Sequence, residues 1–191
     1  EYSMEEAIRK GALCKYYYYP HLVKLTDDEM AEYIELSHRI AKIINREDDD
    51  SKEILKRLLL KRKQIIHKAR NKKDIFQNIL KEHLDKTGTL KYTLVYVPEG
   101  NKPDDYTADI FDSYDMIKDD EDTVHLINEY TSIVRDLDSH IVVRQFTSES
   151  SDRDAMLKDF ANGSIDVLTS MKCLDEGVDV PRSELAIFCA S

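Results

Sequence analysis

The chain has 191 residues, 41% hydrophobic and 35% charged, with 38 Asp+Glu against 28 Lys+Arg for a formal charge of −10. This composition is globular, excludes a wholly disordered chain, and leaves room for one large domain or one domain with an insertion but not two full motor domains. The acidic balance excludes a protein that coats nucleic acid over its whole surface and allows only local basic patches.

Met4, Ala7 and Ile8 open the chain with a short helical pattern that Gly11 ends. The aromatic run Tyr16 to Tyr19, Pro20 and the alternation Leu22-Val23-Lys24-Leu25 read as an extended or edge strand, because Pro20 cannot donate to a central ladder. The four tyrosines suit either base stacking or a β segment with one packed side and one solvated side. Thr26-Asp27-Asp28-Glu29 spells a capping box. Met30, Tyr33, Ile34, Ile40, Ala41 and Ile44 follow at helical spacing, which predicts a helix over about 27–45. After the acidic run Glu47 to Asp50 a second helix begins near Ser51, with Ile54, Leu55, Leu58, Leu59, Ile65, Ile66 and Ala69 on one face. Arg62 falls inside that apolar stripe and snorkels from it. Lys52 to Lys73 holds ten basic residues against Glu53 alone, a local charge of +9, so the remainder of the chain carries −19. Such a helix, with Lys61, Arg62 and Lys63 at its middle, reads either as a phosphate-contacting arm or as a solvated face. A third helix through Ile75, Phe76, Ile79, Leu80 and Leu84 ends at Thr87-Gly88.

Beyond Gly88 the period changes. Leu90 to Val97 reads as a buried strand bounded by Pro98, and Glu99 to Asp122, with ten acids and two lysines, as a long acidic loop. A helix (Val124 to Leu137), a strand (Ile141 to Phe146), a helix (Asp152 to Ala161, stopped by Gly163), a strand (Ile165 to Leu168), a helical turn (Lys172 to Glu176) and a strand (Leu185 to Cys189) follow. This alternation predicts a parallel sheet with its ligands at the strand carboxyl ends. Two loops at those ends stand out. Thr147-Ser148-Glu149-Ser150-Ser151 leads into a helix, where hydroxyls and backbone N–H groups either receive a phosphate or cap the helix. Thr169 to Pro181 combines a strand-end Thr, a Gly for close backbone approach and an Asp two residues later, which is a compact site or a tight crossover.

No stretch reaches the roughly 20 apolar residues of a membrane helix and no leader pattern opens the chain, so a cytoplasmic location is expected. Cys14, Cys173 and Cys189 form no CxxC pair and the six histidines lack ligand spacing, so neither a disulfide framework nor a metal site is expected. The chain begins at Glu1, and 186–191 read as a strand without a closing turn, so a piece of a longer protein is expected.

Phe146-Thr147-Ser148, Arg153 to Leu157, Phe160-Ala161-Asn162-Gly163, Val167-Leu168-Thr169 and Leu174-Asp175-Glu176-Gly177-Val178-Asp179-Val180-Pro181 resemble the second RecA-like domain of superfamily 2 helicases. The Asp-Glu-Gly-Val-Asp-Val-Pro spelling looks most like the DNA-repair and restriction-type DEAD/DEAH members. The resemblance covers about Leu90 to Ser191. It implies an α/β, three-layer αβα domain with a parallel sheet and an inserted helical pair: a lead-in segment and edge strand over 1–26, a helical insertion over 27–86, and the RecA-like domain over 87–191. It implies that Thr169 touches a backbone phosphate, with Thr147 and Ser148 as further contacts, and that Gly177, Asp179 and, with lower weight, Glu176 face the nucleotide.

ATP hydrolysis in that class needs a Gly-rich loop ending Gly-Lys-Ser/Thr, an acidic pair for Mg²⁺ and arginine fingers, and this sequence has none of the three. The expectation is therefore the C-terminal motor domain of an ATP-dependent DNA helicase or translocase, inactive by itself. In the intact protein ATP and Mg²⁺ would sit in a cleft shared with an N-terminal RecA-like domain. The expected polymer is DNA, with RNA left open. The competing expectation is a non-catalytic RecA-like scaffold in a DNA-processing or restriction complex.

Overall fold

The computed structural model describes residues 3–12, 14–46, 48–98, 120–147, 150, 152–171, 180 and 182–189. Ser148 and the stretch carrying Glu176, Gly177 and Asp179 lie outside them, as does most of the acidic segment.

Helix α1 (Met4–Arg9) starts at Ser3, whose hydroxyl accepts from the Glu6 amide at 3.2 Å, and stops before Gly11 at φ 73°. Residues 14–26 form no helix, strand, turn or bend, so of the extended or edge strand expected over Tyr16 to Leu25 the strand is not formed. Its alternation supplies strand propensity, but among the described residues no strand pairs with it, and a strand is stable only with a neighbour.

Helix α2 (Asp27–Ile43) begins with the expected capping box: Thr26 N donates to Glu29 Oε2 at 2.9 Å, and Glu29 N donates to Thr26 Oγ1 at 3.4 Å. Helix α3 (Asp49–His67) starts earlier than the apolar pattern indicates, because the Asp48 carboxylate accepts from the Ser51 amide at 2.8 Å and caps it. The two helices pair around Leu36, Ile40 and Leu58.

Helix α4 (Asn71–Thr87) ends at Gly88, which takes the left-handed φ of 73° that a helix stop requires of glycine. Strands β1 (Thr93–Tyr96), β2 (Val143–Phe146), β3 (Val167–Ser170) and β4 (Leu185–Phe188) make one sheet in the order β2-β3-β1-β4, with every pairing parallel. Helix α5 (Asp120–Leu137) connects β1 to β2, and α6 (Arg153–Asn162) connects β2 to β3. Asp120 to Asp122 thus belong to a helix rather than to a loop, an end of the helix dipole where acids are favoured.

The sheet has a core on each face. Val95, Val97, Val143, Val167 and Ile187 meet Phe76 and Leu80 of α4 and Ile127, Tyr130 and Val134 of α5. Leu94, Phe146 and Leu168 meet Phe160 of α6 on the other face. This is the three-layer αβα architecture. Helix α4 belongs to it, so the helical segment 27–86 divides: α2 and α3 form a hairpin with their own small core, and α4 covers the sheet. Gly163 ends α6 at φ 80°, and a Cβ there would come within 2.9 Å of the Tyr92 hydroxyl, so both backbone and space favour glycine. Among the described residues no helix is long and apolar enough to cross a membrane.

The hairpin is tied to the turn between α3 and α4. Arg70 N donates to Glu29 Oε1 at 2.9 Å, Arg70 Nη2 donates to Thr26 Oγ1 at 2.9 Å, and Asn71 Nδ2 donates to the Lys24 carbonyl at 2.7 Å. Partial burial opposes ionisation of Glu29, yet hydrogen bonds from Thr26 and Arg70 outweigh it and hold the carboxyl below the usual glutamate range. A depressed folded pKa contributes stability that is whole above the unfolded value and is lost as pH falls through the folded one. We therefore expect the thermal stability of the hairpin, followed by NMR, to fall below about pH 4 in the wild type. A Glu29→Gln variant should lack that step, and an unchanged step would mean that another carboxylate carries it.

Candidate nucleic-acid interface

All four strands point their carboxyl ends at one edge, where a parallel sheet receives ligands. Val97, Thr147, Met171 and Cys189 follow β1, β2, β3 and β4 there. Thr147 is half-buried and bonded to Ser150: its amide donates to Ser150 Oγ at 3.0 Å, the two hydroxyls lie 3.3 Å apart, and Ser150 N donates to the Thr147 carbonyl at 3.2 Å. The Asp152 carboxylate accepts from Ala155 N at 3.3 Å, so α6 carries its own cap. The cap thus comes from Asp152, one residue beyond the loop, while Thr147 and Ser150 bond to each other.

Thr169 is corrected by the structure. It lies inside β3 rather than in the loop after it, in register with Val95 and Gln145, and is 0% exposed. Its side chain faces α5, with its hydroxyl 2.9 Å from that of Thr131 and 3.4 Å from the Arg144 carbonyl. Thr131 Oγ1 also donates to the Ile127 carbonyl at 2.7 Å and accepts from Gln145 Nε2 at 3.1 Å. A hydroxyl held beneath a helix in this way does not reach a phosphate in this conformation; it satisfies a polar layer between sheet and helix. Thr169→Val leaves Thr131 with two partners, so we expect a stability change below about 1 kcal/mol in urea unfolding and unchanged nucleic-acid affinity. A drop in affinity above tenfold without unfolding would restore a direct contact.

The basic helix is sorted by its packing on α2. Lys61 is exposed and Lys63 half-buried. Arg62 turns inward: Nη1 donates to Ser37 Oγ at 3.4 Å and the guanidinium lies 5.5 Å from the Tyr33 ring centroid. Its carbon stem covers the hairpin core, as its place in the apolar stripe implies. Exposed pairs Lys52–Asp49 at 3.5 Å and Arg57–Glu53 at 2.6 Å sit on the same helix and contribute little to stability.

Lys72 was counted with this basic run, yet it is 9% exposed and lies at the carboxyl edge. Its ammonium donates to the Cys189 carbonyl at 3.0 Å and to the His67 carbonyl at 3.4 Å, joining the α3–α4 turn to the end of β4. Burial pulls the Lys72 amine down from its ordinary value. Burial also pushes the Cys189 thiol up to about 12, against the opposing pull of Lys72 and a Tyr130 hydrogen bond. A thiol so protonated is no nucleophile. Helical spacing carries the signal for this burial: Lys72 shares one face of α4 with Phe76 and Leu80. Lys73 pairs with Glu129 of α5 at 2.5 Å beside it.

No curated protein matches the chain. The crystal structure of the Pyrococcus furiosus Hef helicase domain is similar at 19% identity, covering 84% of this chain and 30% of that one, with a TM-score of 0.42. This chain thus spans under a third of the length of that helicase structure. The model of the helicase conserved C-terminal domain matches residues 50–191, which hold α3, α4, the whole sheet and its connecting helices, while α2 and the tyrosine run precede them. With that much of its length matched, the chain belongs to the helicase conserved C-terminal domain family.

Proposed function

We infer that this chain is the C-terminal motor domain of an ATP-dependent DNA helicase or translocase, of the kind used in DNA repair or restriction. The observation that carries the reading is family membership on an all-parallel sheet whose β3 runs directly in sequence into Leu174–Pro181. Gly177 permits close backbone approach to a nucleotide, and the Asp179 carboxylate suits a ribose hydroxyl or the orientation of an arginine. These residue types fit one wall of an ATP cleft. The phosphate-cradling loop and the Mg²⁺ carboxylates are assigned to a first RecA-like domain, because this sequence contains no GxxxxGK spacing. Bound ATP supplies the hydrolysis that drives motion, and this chain supplies the second wall and part of the strand grip. Phosphate contacts, which carry no base readout and suit stepping along any sequence, fall to Thr147 and Ser148 and to Lys61 and Lys63 of α3. Thr169 acts behind them by holding β3 to α5.

The test is ATP hydrolysis by the intact polypeptide with single-stranded DNA, duplex DNA and RNA, beside Asp179→Ala, with the 191-residue chain as the inactive control. Polymer-stimulated turnover that collapses in Asp179→Ala supports the motor and names its polymer. Absence of turnover with every polymer overturns it and leaves a RecA-like scaffold.

A further inference from the structure

Two stretches of this acidic chain contain no acid. Residues 7–26 carry Arg9, Lys10, Lys15 and Lys24, a charge of +4, and residues 54–73 carry nine Lys and Arg, so the rest carries −10 − 4 − 9 = −23. They are far apart in sequence and meet in the fold, where Asn71 Nδ2 donates to the Lys24 carbonyl at 2.7 Å and Arg70 Nη2 to Thr26 Oγ1 at 2.9 Å. The first stretch holds four consecutive tyrosines, and Tyr17, Tyr18 and Tyr19 are 71%, 76% and 74% exposed. The chain there makes no turn or bend, and the Lys15 ammonium stands 5.6 Å from the Tyr17 ring centroid. Exposed rings that follow a lysine on a chain without a turn or bend, in a segment joined to the α3–α4 turn at the end of the basic run, are the components of a single-strand platform: bases stack on rings while phosphates meet cations.

We propose that Tyr16 to Tyr19 form a base-stacking strip for single-stranded nucleic acid, continuous with the phosphate-contacting face of α3. The proposal rests on the reading of this chain as a nucleic-acid motor domain and adds to it the strand form and the residues that hold it. Charge selects this occupant over a protein surface. All thirteen cations of the two stretches lie in segments that contain no acid, although Arg70 and Lys73 pair with Glu29 and Glu129 from outside them, whereas the sheet domain they adjoin is acidic. Duplex DNA presents no unstacked base to the rings, so the strip distinguishes single strands from duplex.

The test uses the 191-residue chain, a labelled oligo-dT of about 15 nucleotides and a duplex of equal length, read by fluorescence anisotropy at several salt concentrations. Tyr17→Ala/Tyr18→Ala is expected to weaken single-strand binding at least about tenfold, with Tyr17→Phe/Tyr18→Phe close to wild type and duplex binding unchanged. Circular dichroism checks that the exposed substitutions leave the fold intact. Wild-type affinity in the double Ala variant overturns the strip while leaving the phosphate reading of α3 standing. Loss of both single-strand and duplex binding in the wild type overturns both. If the wild type self-associates and the double Ala variant is monomeric with unchanged nucleic-acid affinity, the strip is a protein interface and the proposal fails.

Discussion

Phe76→Ala is expected to destabilise the sheet domain by about 4 kcal/mol, the largest effect we assign to a single side chain. Phe76 is 1% exposed and meets the Tyr130 ring edge-on, with centroids 5.0 Å apart and planes at 65°. Together with Leu80 it carries α4 onto both α5 and the sheet, in one cluster with Leu90, Val95 and Val134. Truncation removes the transfer free energy of a benzyl group, opens a void between two helices and deprives Tyr130 of its ring contact. Phe76→Leu keeps most of the volume and should cost under about 2 kcal/mol. Urea unfolding followed by circular dichroism separates the outcomes. A loss below about 1 kcal/mol for Phe76→Ala would mean that α4 belongs energetically to the hairpin and that the domain starts near residue 87.

Local chemistry made much of this architecture readable before any coordinates. The Thr26–Glu29 capping box, the glycine stops at 88 and 163, and the switch from helical to strand periodicity after Gly88 are each decided by neighbours within a few residues, and each stands in the structure. What escaped depends on distant partners. Leu22 to Leu25 alternates like a strand, but a strand needs a neighbour and the described residues supply none. Thr169 and Ser170 look like the start of a polar loop, yet both are 0% exposed: they lie in β3, and Thr131, 38 residues earlier, brings a hydroxyl to meet Thr169. Lys72 looks like one more cation in a basic run until its place beside Phe76 and its bond to the Cys189 carbonyl are known.

The same dependence on distant partners explains why the candidate site divides as it does. A threonine at the end of a strand pattern is legible as a hydroxyl near a ligand edge, but the side of the sheet it faces is set by register. In β3 that register gives Val167 and Thr169 to α5 and Leu168 to α6. Arg62 is the clearer case, since its position in an apolar stripe is local information and its turn toward Tyr33 and Ser37 follows from it. The packing of Arg62 is thus legible from helical spacing, whereas the side that Thr169 faces, set by sheet register, is not.

Leu58→Ala is expected to open the α2–α3 hairpin while the sheet domain stays folded. Leu58 is 5% exposed, and its buried partners are Leu36 and Ile40, with Ile43, Leu55 and Ile65 packed around them. Removing a buried leucine costs about 3 kcal/mol, and a core this small has little excess to absorb it. The sheet domain shares none of these residues, so the loss has no direct route into its two clusters. Hydrogen exchange should show α2 and α3 unprotected and α4, α5 and the strands near wild type. Uniform loss of protection would instead mean that the Arg70, Asn71 and Lys72 contacts at the α3–α4 turn weld hairpin and sheet into one cooperative unit. The variant keeps every lysine of the basic run, so a fall in nucleic-acid affinity alongside the opening would show that the cations bind as an ordered helical face rather than as a charged tail.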